Sequence, residues 1–501
     1  MIREVQRICA GGVRAALAAV VLVCVCCARG AAGTDGPGLE GADSWLNTDG
    51  GKPVSMSELK GQVVLLDFWT YSCINCMHVI PDLHFLERKY AGEPFVVIGV
   101  HSGKFDEEKD ANNIRQAVLR LNITHPVAVD SEYKIWNAFG VNAWPTLIVL
   151  DPGGSVAGTW EGEGHRDEID ARIGELLQTG KENGTLAKPI HFGSERASFK
   201  SGVLEFPGKV LADAAGGRLF ISDTGHNRIL VSDFNGKVSQ IIGDGKAGLK
   251  DGGFGEAEFR EPEGVALSAD GKTLYVADTE NHAIRAVDLG GANVSTLAGT
   301  GSQADQFPDG SPGKTTALNS PWDVARVGKT LYIAMAGVHQ IWAIDLTNDL
   351  VSVYAGAGRE ADADGSNADA DFAQPSGLAT DGTHLYVADS EASSIRAISI
   401  DTDQTTTIAG SGDLFGFGRT DGVGKSALFQ HPIGVAVDGD ALFVADTLNG
   451  LIRRVDLKSD AVTTWLGSGA GDSEAADSFY EPGGVSVAGG TLYVADTNHQ
   501  R

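Results

Sequence analysis

Cysteine is scarce in this sequence, and most of it lies near the start of the chain. Six of the 501 residues are cysteine. Those that precede residue 34 are Cys9, Cys24, Cys26 and Cys27. Without that segment only Cys73 and Cys76 remain, whereas a secreted scaffold stapled by disulfides carries more pairs. A disulfide that closes so small a loop adds little stability, so the pair is interpreted as redox-active.

Basic residues are also few. The chain has 39 Lys and Arg against 66 Asp and Glu, which gives a formal net charge of −27. Binding to a phosphate backbone requires clustered positive charge, so the composition argues against a nucleic-acid partner. It favours an acidic protein whose like charges oppose self-association.

Long hydrophobic runs are missing apart from one near the N-terminus. The uncharged run from Ala15 to Ala28 is shorter than the roughly 20 apolar residues of a membrane-spanning helix. It follows several arginines and precedes Ala31-Ala32-Gly33, which is the order of a secretory signal peptide. We therefore predict a signal peptide over residues 1–33 and a secreted or periplasmic protein with no membrane span after its removal. An uncleaved N-terminal membrane anchor is the alternative.

The two remaining cysteines lie where a strand passes into a helix. The apolar, β-branched run Val63–Trp69 predicts a buried strand, and apolar residues at helical spacing predict a helix over Met77–Tyr90. Cys73 and Cys76 are then expected on the first helical turn. Unpaired N–H groups and the helix dipole favour a thiolate there, and the thiolate is the nucleophilic form. Cys73 is therefore the candidate nucleophile.

Around this motif, residues 43–177 alternate between strand and helix patterns, which predicts an α/β domain with a partly parallel sheet. After Val63–Trp69 the predicted elements are strand Phe95–Val100, helix Ala111–Leu121, strand Val127–Val129, helix Tyr133–Phe139, strand Thr146–Leu150, strand Val156–Trp160 and helix Asp167–Leu177. The polar, glycine-containing residues 178–201 are predicted to be a linker.

From residue 202 onward the sequence repeats. Each unit has a proline before an apolar strand, then a strand of the Leu-Tyr-Val-Ala-Asp type and then a Gly-rich loop. The prolines are Pro207, Pro262, Pro321, Pro375, Pro432 and Pro482. About four short strands per unit are typical of a propeller blade, so residues 202–501 are predicted to form a six-bladed propeller. Met335 stands where most repeats have Asp.

The cysteine segment resembles thioredoxin-fold domains of the secreted or membrane-tethered type. The resemblance is carried by Asp67, Trp69, Pro81 and Pro145, which match thioredoxin positions in register with the cysteines. It implies that Cys73 attacks a disulfide and Cys76 resolves the mixed disulfide. It further implies that a buried Asp67 accepts the proton of Cys76, that Pro145 is a cis-proline facing the sulfur, and that Trp69 packs at the active site. Ile74-Asn75 replaces the usual Gly-Pro between the cysteines.

The repeats resemble NHL repeats, and the whole arrangement resembles the NHL repeat-containing protein 2 family. The resemblance rests on the Cys-Ile-Asn-Cys-Met-His run that begins at Cys73 and on the odd repeat with Met335. Ser72 departs from the family, where an extra cysteine can stand. The sixth repeat ends after its second strand, and residues Ser198–Phe206 are the nearest candidate for a closing strand. We therefore expect the native chain to continue past Arg501.

The function predicted from these features is thiol–disulfide exchange by the thioredoxin-like domain, with the propeller as a protein-binding platform that recruits clients. The alternatives are a non-catalytic scaffold with a redox-silent thioredoxin fold and a metal-dependent propeller enzyme. The recurring Asp and His of the repeats are interpreted as turn residues, so no cofactor or metal is predicted. The expected partners are proteins that bear disulfides or thiols and a protein bound to the propeller.

Overall fold

The computed structural model describes residues 37–501, except 305, 470, 472–474 and 476. The predicted signal peptide over residues 1–33 lies outside the described residues. No helix in the described part of the chain is both long and apolar enough to cross a membrane. The chain folds into a thioredoxin-like domain followed by a β-propeller.

The thioredoxin-like domain alternates strands and helices. In chain order they are β1 (Ser44–Leu46), β2 (Val63–Trp69), α1 (Ile74–Lys89), β3 (Phe95–His101), α2 (Ala111–Arg120), β4 (Val127–Val129), α3 (Lys134–Phe139), β5 (Thr146–Leu150), β6 (Val156–Glu161) and α4 (Arg166–Asn183). The predicted elements are thus present, with ends shifted by a few residues. The last helix is longer than predicted and extends to Asn183, so the segment 178–201 begins as helix and not as linker.

The strands form one sheet in the order β1-β4-β3-β2-β5-β6. Strand β2 lies in the interior, parallel to β3 and antiparallel to β5. All seven of its residues are buried, because side chains on both faces pack under other elements. Val64, Leu66 and Phe68 join one hydrophobic cluster, and Val63 and Leu65 join another on the opposite face. This double burial fixes the end of β2, from which the cysteine loop leaves.

The propeller strands follow the repeats. In chain order they are β7 (Val210–Asp213), β8 (Arg218–Asp223), β9 (Arg228–Ser232), β10 (Val238–Ile242), β11 (Gly252–Gly253), β12 (Pro262–Leu267), β13 (Thr273–Asp278), β14 (Ala283–Asp288), β15 (Asn293–Ala298), β16 (Ser311–Pro312), β17 (Pro321–Val327), β18 (Thr330–Met335), β19 (Gln340–Asp345), β20 (Leu350–Ala355), β21 (Gly365–Ser366), β22 (Pro375–Thr380), β23 (His384–Asp389), β24 (Ser394–Ser399), β25 (Gln404–Ala409), β26 (Gly422–Val423), β27 (Gly434–Asp438), β28 (Ala441–Asp446), β29 (Leu451–Asp456), β30 (Ala461–Leu466), β31 (Pro482–Ala488) and β32 (Thr491–Asp496). Short 3₁₀ turns occur at Glu107–Lys109, Glu195–Ser198, Thr224–His226, Thr279–Asn281, Gly313–Thr315, Ala336–Val338 and Gly424–Ser426.

The prediction of six blades is corrected to five complete ones, while the prediction that the last repeat is incomplete is confirmed. Among the described residues, five sheets have the four long antiparallel strands of a blade, and the sixth repeat forms a two-stranded sheet of β31 and β32. This repeat still takes its place in the ring, since β31 packs between β27 of the fifth blade and β7 of the first. Residues Ser198–Phe206 do not supply a closing strand. Instead, the Phe199 ring stacks on Phe206 at 5.6 Å between centroids.

Neighbouring repeats are joined by a recurring hydrogen bond that the sequence analysis missed. A hydroxyl just after the second strand donates to the carbonyl of the proline that starts the next repeat. These bonds are Thr224 to Pro262 at 2.9 Å, Thr279 to Pro321 at 2.8 Å, Ser390 to Pro432 at 2.6 Å, Thr447 to Pro482 at 2.9 Å and Thr497 to Pro207 at 2.9 Å. The last bond joins the sixth repeat to the first and so closes the ring.

The third repeat, which contains Met335, has an apolar pair where three other repeats have a buried ion pair. In three blades the Asp that ends the second strand binds a fully buried Arg of the third strand, as Asp278 binds Arg285 at 2.8 Å. In the third blade Met335 takes the Asp position and Trp342 takes the Arg position, and both are fully buried. Replacing both partners leaves no buried charge unpaired, which explains how the blade tolerates Met335.

Candidate redox site

Cys73 and Cys76 lie at the start of α1. Cys73 is the N-cap residue, in extended conformation, and its carbonyl accepts the helical bond from the Met77 N–H at 3.1 Å. Both cysteines are free thiols; Cys73 is half-buried and Cys76 is 1% exposed. This is the difference required of an attacking thiol that meets a partner and a resolving thiol that stays inside.

Burial raises the pKa of both inner groups of this site, Cys76 and Asp67. It raises the pKa of Cys76 well above the usual range, and the adjoining Cys73 and the charge of Asp67 raise it further. Asp67 lies in β2, is 2% exposed, and its Oδ1 has no hydrogen-bond partner among the described residues. Burial raises the pKa of Asp67 to about 7, which nearby His125 partly opposes. A carboxyl group with such a pKa can accept or return a proton near neutral pH.

The other predicted site residues pack around the cysteines. Trp69 is 1% exposed and lies in the same hydrophobic cluster as Cys76. The Trp144–Pro145 peptide bond is cis, as the sequence led us to expect, and the Trp144 indole donates to the Ser102 carbonyl at 2.9 Å. The structure thus brings Asp67, Trp69, Pro145 and both cysteines into one region, whereas their catalytic roles remain predictions.

Two buried polar residues that the sequence analysis missed hold the cysteine loop. The Glu108 carboxylate is fully buried and accepts from the Ser72 N–H at 3.0 Å and from the Ser72 hydroxyl at 2.6 Å. His101 accepts from the Tyr71 N–H at 3.2 Å, and burial lowers its pKa to about 3, so the ring is neutral. Glu108 lies in the charged segment 106–110, whose composition is typical of an exposed loop, so nothing in the sequence indicated its buried role.

The propeller contacts the cysteine loop through Gln374. Its side-chain oxygen accepts from the Ile74 N–H at 2.9 Å, and its amide nitrogen donates to the Ser72 carbonyl at 2.8 Å. The two bonds lie on either side of Cys73. Gln374 is itself 2% exposed, so the redox loop and the propeller are packed together here.

Gln374 belongs to a set of six equivalent residues that we term the pre-proline ring. Each member precedes the first-strand proline of a repeat and has a left-handed backbone. With their φ angles they are Phe206 (47°), Glu261 (48°), Ser320 (47°), Gln374 (59°), His431 (50°) and Glu481 (50°). Left-handed φ is uncommon outside glycine, so its recurrence in every repeat marks a backbone geometry that the repeat imposes.

Four consecutive members of the pre-proline ring contact the thioredoxin-like domain. Besides Gln374, Ser320 lies 2.7 Å from the His78 ring nitrogen Nε2, and the His431 ring meets the Phe105 ring edge-on at 5.4 Å. The Glu481 carboxylate accepts from the Tyr71 hydroxyl at 2.8 Å and pairs with Arg120 at 3.0 Å. The domain therefore rests on repeats three to six.

The other two members, Phe206 and Glu261, line a cavity of about 490 Å³ between the domains, together with Gln374, His431 and Glu481. Its thioredoxin side includes Tyr71 and Ser72, the residues that precede Cys73. On the propeller side burial raises the pKa of Glu261 to about 8 and of Glu263 to about 7. A cavity of this volume is within the range of small-molecule and peptide sites.

The recurring His residues do not assemble a metal site. His226 and His499 each contact the Asp of their own repeat at 2.8 Å, and the described residues contain no group of three or more His, Cys, Asp or Glu placed to hold a metal ion. The described residues do bring two free thiols next to a buried carboxyl group, an arrangement suited to thiol–disulfide exchange.

Comparison with known proteins agrees with this architecture. A Thioredoxin-like family model matches residues 61–156, and an NHL repeat model matches residues 259–286. The chain is 44% identical to Protein SUPPRESSOR OF QUENCHING 1, chloroplastic, of Arabidopsis thaliana, over 85% of this chain and 42% of that protein. It is 41% identical to NHL repeat-containing protein 2 of Homo sapiens, over 87% of this chain and 64% of that protein.

A shorter relative matches the first domain alone. The chain is 27% identical to Thiol-disulfide oxidoreductase YkuV of Bacillus subtilis, over 28% of this chain and 93% of that protein. By contrast, the chain spans less than two thirds of the plant and human relatives.

Proposed function

Since the chain is a homologue of NHL repeat-containing protein 2, with about 42% identity over most of its length, we propose that it is a thiol–disulfide oxidoreductase whose propeller recruits protein clients. The observation that carries the proposal is the pairing of a half-buried Cys73 at a helix N-cap with a fully buried Cys76 beside Asp67. The name of the bacterial relative, which aligns with this domain, supports the same chemistry.

The proposed reaction has two steps. The Cys73 thiolate attacks one sulfur of a client disulfide, forms a mixed disulfide and releases the first client thiolate. Cys76 then gives its proton to Asp67 and attacks the Cys73 sulfur, which releases the second client thiolate and leaves a Cys73–Cys76 disulfide. The client gains two electrons and the chain loses two. The reverse sequence would oxidise a client dithiol.

Trapping of the intermediate tests this proposal. In Cys76→Ser the second step cannot occur, so a model peptide disulfide should accumulate as a mixed disulfide on Cys73, detected by mass. Cys73→Ser is the matched control and should trap nothing, because Cys76 is buried. No adduct on Cys76→Ser, under conditions where iodoacetamide still modifies Cys73, would refute the oxidoreductase proposal.

One observation favours a second candidate, a non-catalytic scaffold. The propeller residue Gln374 binds the backbone on both sides of Cys73, so the loop also serves as an interdomain contact. In that case the trapping experiment would give no adduct while the domains remained joined.

The partners and compartment form part of the same proposal. We propose disulfide- or thiol-bearing protein clients, a second protein held by the ring of repeats, and a secreted or periplasmic location, with an N-terminal membrane anchor as the alternative. Fractionation of cells that express the full chain, with and without residues 1–33, tests the location.

A further inference from the structure

The side-chain amide of Gln374 bridges the backbone on the two sides of Cys73, and Gln374 itself is held in place by its own backbone contacts. Its own backbone N–H donates to the His339 ring at 3.1 Å, and its carbonyl accepts from the Ser376 hydroxyl at 2.9 Å. With the backbone fixed by these contacts, the amide makes the bonds to the Ile74 N–H and the Ser72 carbonyl described above. A contact anchored at four points has little freedom to rearrange when the cysteines change oxidation state.

The Ile74 N–H is not an ordinary donor. It belongs to the first turn of α1, where the backbone N–H groups have no partner within the helix. Such groups stabilise an anion at the helix N-terminus, and here the anion is the thiolate of the N-cap residue Cys73. The Gln374 side-chain oxygen carries partial negative charge, and its bond to the Ile74 N–H places that charge at the helix N-terminus next to Cys73. The amide therefore offsets part of the positive field that would stabilise the thiolate.

We infer that Gln374 is a positioning residue through which the propeller sets the reduction potential of the Cys73–Cys76 pair. By engaging the Ile74 N–H it disfavours the reduced, thiolate-bearing form and makes the pair a stronger reductant. The inference deepens the proposed oxidoreductase function and rests on it. The equilibrium in question is reduction of the Cys73–Cys76 disulfide by two glutathione molecules, which gives the dithiol and one glutathione disulfide.

Two substitutions separate this role from a merely structural one. Gln374→Met preserves length and bulk but removes both hydrogen bonds, so the freed Ile74 N–H should stabilise the reduced form. Gln374→Glu retains an acceptor for the Ile74 N–H in either protonation state. We expect it to match the wild type or to shift toward the disulfide, because a carboxylate would repel the Cys73 thiolate.

The experiment equilibrates the full chain in glutathione buffers of graded ratio and counts alkylated thiols by mass. For Gln374→Met we expect the equilibrium constant for reduction to rise about tenfold, equivalent to about 30 mV toward a more positive potential. The matched control is Gln430→Met. Gln430 also lies in the propeller and accepts from a thioredoxin-domain N–H, that of Glu107 at 3.2 Å, but does not touch the cysteine loop. It should leave the constant unchanged.

The outcomes are distinct. A constant for Gln374→Met within twofold of the wild type would overturn the inference, and so would an equal shift in Gln430→Met. A shift of Gln374→Glu in the same direction as Gln374→Met would also overturn it, because both would then reflect loosened packing. If no Cys73–Cys76 disulfide forms in any buffer, the inference fails together with the proposed function. If the Cys73–Cys76 disulfide forms reversibly but its equilibrium constant is unchanged in Gln374→Met, the inference fails and the proposed function stands.

Discussion

Asp67→Asn should stabilise the fold at alkaline pH and slow disulfide exchange at neutral pH. Burial raises the pKa of Asp67 from 3.8 to about 7. The folded state therefore holds this proton more tightly than the unfolded state does. The stability associated with the proton is complete below the unfolded value and is lost as pH rises through the folded value. Asn carries no charge at any pH and avoids this loss.

The size of the expected difference in unfolding free energy follows from the pKa shift of Asp67. One pKa unit corresponds to about 1.4 kcal/mol, and the penalty grows until the pH passes the folded pKa. Between about pH 5 and pH 8 the free energy of unfolding of Asp67→Asn, relative to wild type, should therefore rise by about 3 kcal/mol. Above pH 8 the difference should be constant. Any pH-independent effect of Asn on packing cancels in this comparison.

The assay is urea unfolding of the reduced protein at each pH, followed by tryptophan fluorescence. Asp49→Asn at an exposed position is the matched control and should show no comparable trend. The same Asp67→Asn protein should resolve mixed disulfides about 100-fold more slowly near pH 7, the usual contribution of a general base. A stability difference that does not vary with pH would refute the assigned titration. An unchanged exchange rate would remove Asp67 from the mechanism.

Two further predictions concern the stability of the propeller, one for the closure of the ring and one for the interior of a blade. Thr497→Val removes the bond to the Pro207 carbonyl that closes the ring and should lower the free energy of unfolding by about 1–3 kcal/mol; an unchanged urea midpoint would contradict this. Trp342→Arg buries a guanidinium beside Met335 and should cost about 3–5 kcal/mol. Adding Met335→Asp should recover most of it, and a double variant no more stable than the single one would disprove the pairing.

Much of the thioredoxin-like domain could be predicted from the sequence because its elements are encoded locally. The buried strand Val63–Trp69 and the helix that carries Cys76 follow from runs of apolar residues. The ends of elements were less predictable, since α4 continues to Asn183 through polar residues that resemble a linker. The count of full blades was set too high by counting repeats, although the sixth repeat already ends after its second strand in the sequence, and β32 has no third strand beside it among the described residues.

The interdomain part of the site could not be predicted in the same way. Glu108 and Gln374 act on the cysteine loop from 36 and 300 residues away, and no periodicity links them to it. A signal was nevertheless present. In every repeat the residue before the first-strand proline varies in type, while the proline recurs. A variable residue at a fixed place in a repeated backbone is typical of a contact position.

In the pre-proline ring the backbone that positions the contact residues is the same in every repeat, whereas the side chains that make the contacts differ. Each of the six repeats places one such position directly before its first-strand proline, and the left-handed backbone is the same at each. Four of the six side chains contact the thioredoxin-like domain, alongside other propeller residues such as Gln430. A change at one of these positions can therefore alter the interface without disturbing a strand. The propeller thus presents six equivalent contact positions to whatever lies on this face, and two of them, Phe206 and Glu261, line the cavity between the domains.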